Sequence, residues 1–262
     1  MEKIQNVQVE VSNRIAVVTI DNPPVNVLNE QVAAELDRIA EELNDSREVQ
    51  VVILTGAGNK AFMAGADITE FPELIGAGEI KAEQKSLRLQ KVFEKIYSIN
   101  KPTIAAINGL ALGGGCELSL VCDLRIMEEQ ALIGLPEVKL GLFPGAGGTQ
   151  RLPRLIGEAR AKEIMFSGEP ITAKKALEIG LINEIAPPGK SVEQAITMAR
   201  RFTNYSMSAL SHMKQAINLG VHTDLDKGLS IEAHEFGKVF QSEEISEGIQ
   251  AFLEKRRANY RY

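Results

Sequence analysis

The sequence predicts an α/β fold with an all-helical C-terminal region. Three observations lead there. Apolar, β-branched runs alternate with segments of helical periodicity through the first two-thirds of the chain. A breaker, Pro187-Pro188-Gly189, then interrupts it. Beyond the breaker only helical patterns follow, which divides the chain into an α/β part over 1–190 and a helical part over 191–262. A length of 262 residues suits one domain with an appendage.

The elements follow in order. "RIAVVTI" (14–20) reads as a strand that ends at "DNPP". Val32, Leu36, Ile39 and Leu43 recur at helical spacing behind Asn29, a good N-cap. "VQVVILT" (49–55) is apolar enough for a strand buried on both faces. "MAGADITEFPELIGAGE" is rich in small residues without a period and reads as a long loop. Leu89, Val92, Phe93, Ile96 and Ile99 mark a helix that Pro102 ends, and "TIAAI" (103–107) is a strand. "CELSLVC" reads as a short helix. "SVEQ" (191–194) matches a capping box, and Ile245, Ile249, Phe252 and Leu253 make one apolar face of a last helix. Helices with apolar faces and no core of their own suit packing on a neighbouring copy.

Composition narrows the function. The net charge of −6 argues against nucleic acid as the main partner. The N-terminal stretch lacks the apolar core of a signal peptide, and no run is long enough to span a bilayer. Cys116 and Cys122 lie in one apolar segment and suit reduced thiols, so a cytoplasmic setting is expected.

Three segments carry candidate chemistry. In "LALGGGCELSL" the glycines precede a helix, whose first N–H groups have no intrahelical partner and carry the positive end of the macrodipole. Such a turn suits an anion or oxyanion, with Glu117 beside it. The same glycines would equally serve close packing of two backbone segments, with Glu117 a solvated residue. The pattern is neither a dinucleotide fingerprint nor a P-loop. "AGADI" (64–68) offers a second N–H for the same oxygen; taken alone it is an ordinary small-residue turn. In "IGLPEVKLGLFPGAGGTQRLPRLIG" (133–157), Glu137 on a rigid loop is a candidate acid or base. "FPGAGG" lacks the lysine of a phosphate cradle and reads as a structural turn. Cys116 reads as a core residue, because His212, His222 and His234 all lie far away in the helical tail. No Cys/His cluster has metal-ligand spacing. The basic end, Lys255, Arg256, Arg257 and Arg261, reads as a solvated helix end.

"AFMAGADI", "KPTIAAINGLALGGGCELSLVCDLRI" and "LPEVKLGLFPGAGGTQRLPRLIG" occur in this order and spacing. In them the chain resembles the enoyl-CoA hydratase (crotonase) superfamily, over nearly its whole length. The resemblance implies a spiral of ββα units and a C-terminal helical region that forms trimers, often paired into hexamers. It implies an acyl-CoA thioester as substrate, its enolate held by the backbone N–H groups of Ala66 and Gly114. It makes Glu117 and Glu137 the catalytic carboxyls for hydrating 2-trans-enoyl-CoA. Ala64, Asp67, Ile68 and Thr69, with Val25, Val27 and Leu28 of the first loop, would line the CoA site. Lys255 or Arg256 would meet its phosphates. No metal or redox cofactor is expected; coenzyme A is part of the substrate.

Two positions depart from the family pattern. Leu135 stands where many hydratases have Gln, and Val27 where many have Ala. A Δ3,Δ2-enoyl-CoA isomerase, which usually keeps one catalytic carboxylate, or another crotonase-type acyl-CoA enzyme is the alternative. Some relatives bind RNA, which the net charge does not favour.

Overall fold

The structure, a computed structural model, describes residues 5–260. β1 (Val7–Ser12) and β2 (Ile15–Ile20) form an antiparallel hairpin. From β2 the sheet continues in parallel through β3 (Val51–Gly56), β5 (Thr103–Ile107), β7 (Leu124–Glu128) and β10 (Glu184–Ala186). A second sheet holds β4 (Ala61–Ala64), β6 (Leu110–Leu112) and β8 (Leu132–Gly134) in parallel, with β9 (Ile171–Thr172) antiparallel at its edge. Each turn of the chain lays one strand in each sheet: β3 then β4, β5 then β6, β7 then β8. Helices follow the pairs, α2 (Glu79–Tyr97) after β4 and α3 (Gly114–Leu120) after β6. After β8 come α4 (Gly148–Ile156), α5 (Glu158–Ser167) and α6 (Ala173–Glu178). This is the expected α/β spiral.

Local chemistry explains the elements that sequence alone identifies. Asn29 caps α1 (Glu30–Asp45), its side chain accepting from the Val32 N–H at 2.9 Å. All six residues of β3 are buried, and its side chains alternate between two cores. Val52 and Leu54 join the main core, whereas Val51 and Ile53 meet a second cluster with Ala195, Met198 and Ala199. Those three belong to α7 (Ser191–Phe202), which covers the outer face of the large sheet. Each such fully buried aliphatic side chain contributes about 1.5–3 kcal/mol.

α7 lies beyond residue 190 in sequence, and its buried residues pack against the large sheet. α8 (Met207–Gly220), α9 (Leu225–Val239) and α10 (Glu243–Leu253) follow it. One local expectation is corrected: "SVEQ" forms no capping box. Lys190 is the N-cap residue, and the Ser191 hydroxyl donates instead to Glu128 Oε1 at 2.8 Å. The same carboxylate oxygen also accepts from the Ser191 N–H at 3.2 Å, so a buried charged acceptor takes both donors of the residue. The small-residue segment after β3 is also more ordered than a loop: its first residues end β4, and two 3-10 turns follow, Ile68–Glu70 and Pro72–Leu74.

Candidate active site

The three glycines before α3 divide three tasks. Gly113 has φ of 53°, a left-handed value that glycine adopts without strain, and a Cβ there would stand 3.0 Å from Glu137 Oε1. Gly115 lets α3 lie on β4, since a Cβ there would stand 1.9 Å from the Met63 carbonyl oxygen. The packing reading is therefore correct for that glycine. Gly114 is the first residue of α3, where the N–H has no intrahelical acceptor.

The "AGADI" turn meets this N–H. Leu28 and Ala66 form an isolated parallel bridge: the Leu28 N–H donates to the Gly65 carbonyl at 2.8 Å, and the Asp67 N–H to the Leu28 carbonyl at 2.9 Å. In such a bridge the N–H of the middle residue points away from the partner strand. The Ala66 N–H thus turns from Leu28 toward α3, and a Cβ on Gly114 would lie 3.7 Å from the Ala66 nitrogen. Two N–H donors from separate loops stand side by side. Ala64 donates to the Val25 carbonyl at 3.1 Å, which joins the first loop to the same ribbon. Val25, Val27 and Leu28 are brought beside Ala64, Ala66 and Asp67 in this way. Asp67 caps the following turn, accepting from the Thr69 hydroxyl at 2.7 Å and from the Thr69 N–H at 3.0 Å, and these two bonds lower its carboxyl pKa; Ile68 and Thr69 are exposed. Asn26 and Asn108, which the sequence reading missed, hold these turns in place. Asn26 donates to the carbonyl of Ala61 at 2.8 Å, and Asn108 to that of Gly56 at 2.7 Å. Asn108 has a signal in the sequence, an Asn at the end of the apolar run "TIAAI"; Asn26, one of three asparagines in "DNPPVNVLN", has none.

Glu117 lies a turn into α3 and is buried, 3% exposed. Its Oε1 accepts from the N–H groups of Ala146 and Gly148, both at 2.8 Å. Gly148 opens α4, so the carboxylate sits at the positive end of that helix. "FPGAGG" is therefore more than a structural turn: it is an anion cradle, and the anion it holds is the protein's own glutamate. Burial pushes the Glu117 carboxyl up, the Gly148 and Ala146 N–H groups pull it down, and the Glu137 charge pushes it up again; its pKa rises to about 7.

Glu137 opens a 3-10 turn, Glu137–Leu140, directly after β8. Its Oε2 is buried without a hydrogen-bond partner, and burial raises its pKa. Glu137 approaches Gly113, where a Cβ would stand 3.0 Å from its Oε1, and Glu117 follows one turn along α3, its backbone N–H donating to the Gly113 carbonyl at 2.9 Å. Leu135 is fully buried beside this turn, and Val27 is half-buried with its carbonyl accepting from Asn22.

Other candidates stay outside the cluster. Cys116 and Cys122 are free, buried thiols, both pushed up by burial. Arg256 is drawn to Glu247, at 2.7 Å, and Glu254. Arg257 donates to Asn204, and Arg261 lies outside the described residues. Among the described residues no three His, Cys, Asp or Glu side chains are grouped to hold a metal ion, and no helix is long and apolar enough to cross a membrane.

Comparison with known proteins places the chain by family and fold. The family model described as enoyl-CoA hydratase/isomerase matches residues 10–262. A short-chain-enoyl-CoA hydratase of Clostridium acetobutylicum is 42% identical over 97% of each chain. A crotonyl-CoA hydratase of Syntrophomonas wolfei is 41% identical over 98% of each. The crystal structure of an enoyl-CoA hydratase from Bacillus anthracis superposes with a TM-score of 0.91 at 40% identity, covering 98% of this chain and 99% of that one. With that coverage, and with the spiral that carries the two turns, the chain belongs to the enoyl-CoA hydratase/isomerase family.

Proposed function

We propose that the protein hydrates 2-trans-enoyl-CoA thioesters to 3-hydroxyacyl-CoA. The observation that carries this reading is the buried Glu117 and the half-buried Glu137, whose Oε2 is buried, near the N–H groups of Ala66 and Gly114. Water adds its oxygen to C3 of the conjugated double bond. One carboxylate takes the proton that this water loses. The electron pair moves through C2 to the thioester oxygen, and the two N–H groups stabilise the charge that gathers there. C2 then takes a proton from the other carboxyl, so one water is consumed and no proton is gained or lost overall. A raised pKa on each carboxyl suits this work, since each must hold and release a proton near neutrality.

The ribbon of Ala64, Asp67, Ile68 and Thr69 with Val25, Val27 and Leu28 would carry the CoA moiety. Coenzyme A arrives as part of the substrate, and the scheme uses no other cofactor. We also propose a homotrimer, alone or paired into a hexamer. The outer helices leave Ile217, Leu225, Phe236 and Phe252 exposed, apolar surface that a second copy would cover. A monomeric mass in sedimentation at micromolar concentration would exclude it.

Incubation with crotonyl-CoA tests the activity, followed by loss of the enone absorbance in the ultraviolet. Loss of absorbance with formation of 3-hydroxybutyryl-CoA is the expected result. No change with crotonyl-CoA or longer enoyl-CoAs, while a 3-enoyl-CoA is converted to its 2-trans isomer, would replace hydration with the isomerase reading.

A further inference from the structure

The cradle around Glu117 has an outer layer on α2. The Ala146 N–H that donates to Glu117 belongs to the same peptide unit as the Gly145 carbonyl. That carbonyl accepts from the Ser86 hydroxyl at 2.7 Å and from Gln90 Nε2 at 3.0 Å. Ser86 and Gln90 lie one helical turn apart on α2, on one face, and Gln90 Nε2 also approaches Ser86 Oγ at 3.2 Å. The second donor to Glu117 is fixed differently. The Gly148 N–H shares its peptide with the Gly147 carbonyl, which accepts from the Arg151 N–H at 2.8 Å and the Gln150 N–H at 3.0 Å. One donor is thus fixed by α4 itself, and the other by two side chains of a distant helix.

We propose that Ser86 and Gln90 are positioning residues for Glu117, acting through the Gly145–Ala146 peptide to set the direction and strength of the hydrogen bond that its carboxylate receives. Two donors on the carbonyl oxygen fix the peptide plane, so the N–H at its other end points at Oε1. They also polarise the peptide, which strengthens the N–H as a donor. A purely mechanical tether between α2 and the 143–148 turn would need neither the hydroxyl nor the amide to meet one carbonyl. The proposal rests on the hydration reading for its kinetic consequence, but its first observable is the titration of Glu117 in the protein free of substrate.

The charges that face Glu117 are few. Glu137 stands opposite. β4 and β6, packed on α3, carry no titratable side chain. On α4, Arg151 is engaged by Glu94 at 2.7 Å, and Arg154 by the carbonyl and side chain of Gln150. Replacing Ser86 and Gln90 changes none of these charges, so a change in the Glu117 titration reports the altered N–H donor.

The test uses full-length protein with glutamate labelled with carbon-13 at the side-chain carboxyl. The Glu117 resonance is identified by its loss in Glu117→Gln. In the Ser86→Ala/Gln90→Ala double variant its midpoint should rise by about half a pH unit, since the carboxylate loses part of a charge-assisted hydrogen bond. Ser86→Thr keeps a hydroxyl and should titrate as wild type; Gln90→Ala alone should shift the same way by less. With crotonyl-CoA the double variant should lose about tenfold in kcat with KM changed less than about twofold. Gln90 is exposed and Ser86 half-buried on the helix surface, where such changes leave folding intact. A midpoint that does not move in the double variant overturns the proposal, whatever its activity. If the wild type hydrates nothing, the hydration reading fails while the titration still decides the role of Ser86 and Gln90.

Discussion

The turn at 113–115 and the turn at 143–148 both lead glycine backbone into a helix N-terminus, and they use it differently. At α3 the Gly114 N–H stands near another N–H, that of Ala66, and neither donates to a backbone carbonyl of a turn or loop among the described residues. At α4 the Ala146 and Gly148 N–H groups close on a carboxylate that the chain itself supplies. The local chemistry is the same: orphan donors at the positive end of a dipole. What lies opposite decides the use. Under the proposed reaction, a pair of like dipoles would receive charge that develops on a ligand, whereas a pair already bound to Glu117 is a mount for a carboxylate. The comparison also explains why burial does not leave Glu117 permanently neutral. The mount pulls its pKa down while burial and Glu137 push it up, and the balance lies at about 7.

The largest expected effects come from removing the mounted group or its partner. Glu117→Gln and Glu137→Gln should each lower kcat on crotonyl-CoA by about 10²–10⁴-fold, the range for a lost general acid or base. KM should change little, because neither carboxyl is assigned to the CoA moiety. Steady-state kinetics on each variant checks this, and full activity in either would remove that residue from the scheme.

Legibility in the sequence follows the same division. Asn29 was readable because a cap and the N–H it serves lie three residues apart. β3 was readable because burial on both faces leaves an unbroken apolar run. Glu117 and Glu137 were readable as candidates through their glycine-rich and proline-flanked settings. The mount was not, because Ala146 and Gly148 lie 29 and 31 residues from Glu117 and nothing local announces the pairing. Ser191 failed for the same reason: Glu128, 63 residues earlier, outbids the local cap. β4 and β8 have four and three residues, and neighbouring strands rather than their own composition make them strands.

Substitutions at the two helix starts sharpen the contrast at the next level. Gly114→Pro removes the N–H at a first helical position, where proline's missing donor costs the helix nothing. It should lower kcat by about 10²–10³-fold, as the loss of one oxyanion donor does. Gly114→Ala keeps the donor; its Cβ would meet the tip of Leu28 at 3.3 Å and stand in ordinary contact with the Ala66 nitrogen at 3.7 Å, so it should stay near wild type. Alanine at the matching position of α4 should behave otherwise. In Gly148→Ala the new Cβ would stand 2.8 Å from Pro144 Cβ and 3.1 Å from Glu117 Oε1, so the mount must open. A loss of about tenfold in kcat and about 1–3 kcal/mol in stability is expected. Equal behaviour of the two alanine variants would mean that the two turns do not differ as described.

The smallest effect is thermodynamic and turns on the sign of the Glu117 shift. The folded state raises the carboxyl from 4.5 to about 7, so between those values the folded protein binds a proton that the unfolded chain has released. Stability from this group is fully present below the unfolded value and is lost as pH rises through the folded one. Glutamine at 117 keeps an oxygen for the Ala146 and Gly148 N–H groups and carries no charge to desolvate. Glu117→Gln should therefore match wild type in stability near pH 4 and exceed it above pH 7, by up to about 3 kcal/mol. In a chain of this length that is a rise of about 5 °C in Tm. Thermal unfolding at several pH values measures it. A variant gaining the same at pH 4 as at pH 8 would trace the effect to packing, and one gaining nothing at pH 8 would mean that the mount holds the Glu117 carboxylate without strain. A gain confined to high pH would place the stored energy at the mount, where the chain keeps a carboxylate that the proposed reaction uses and that folding favours protonated.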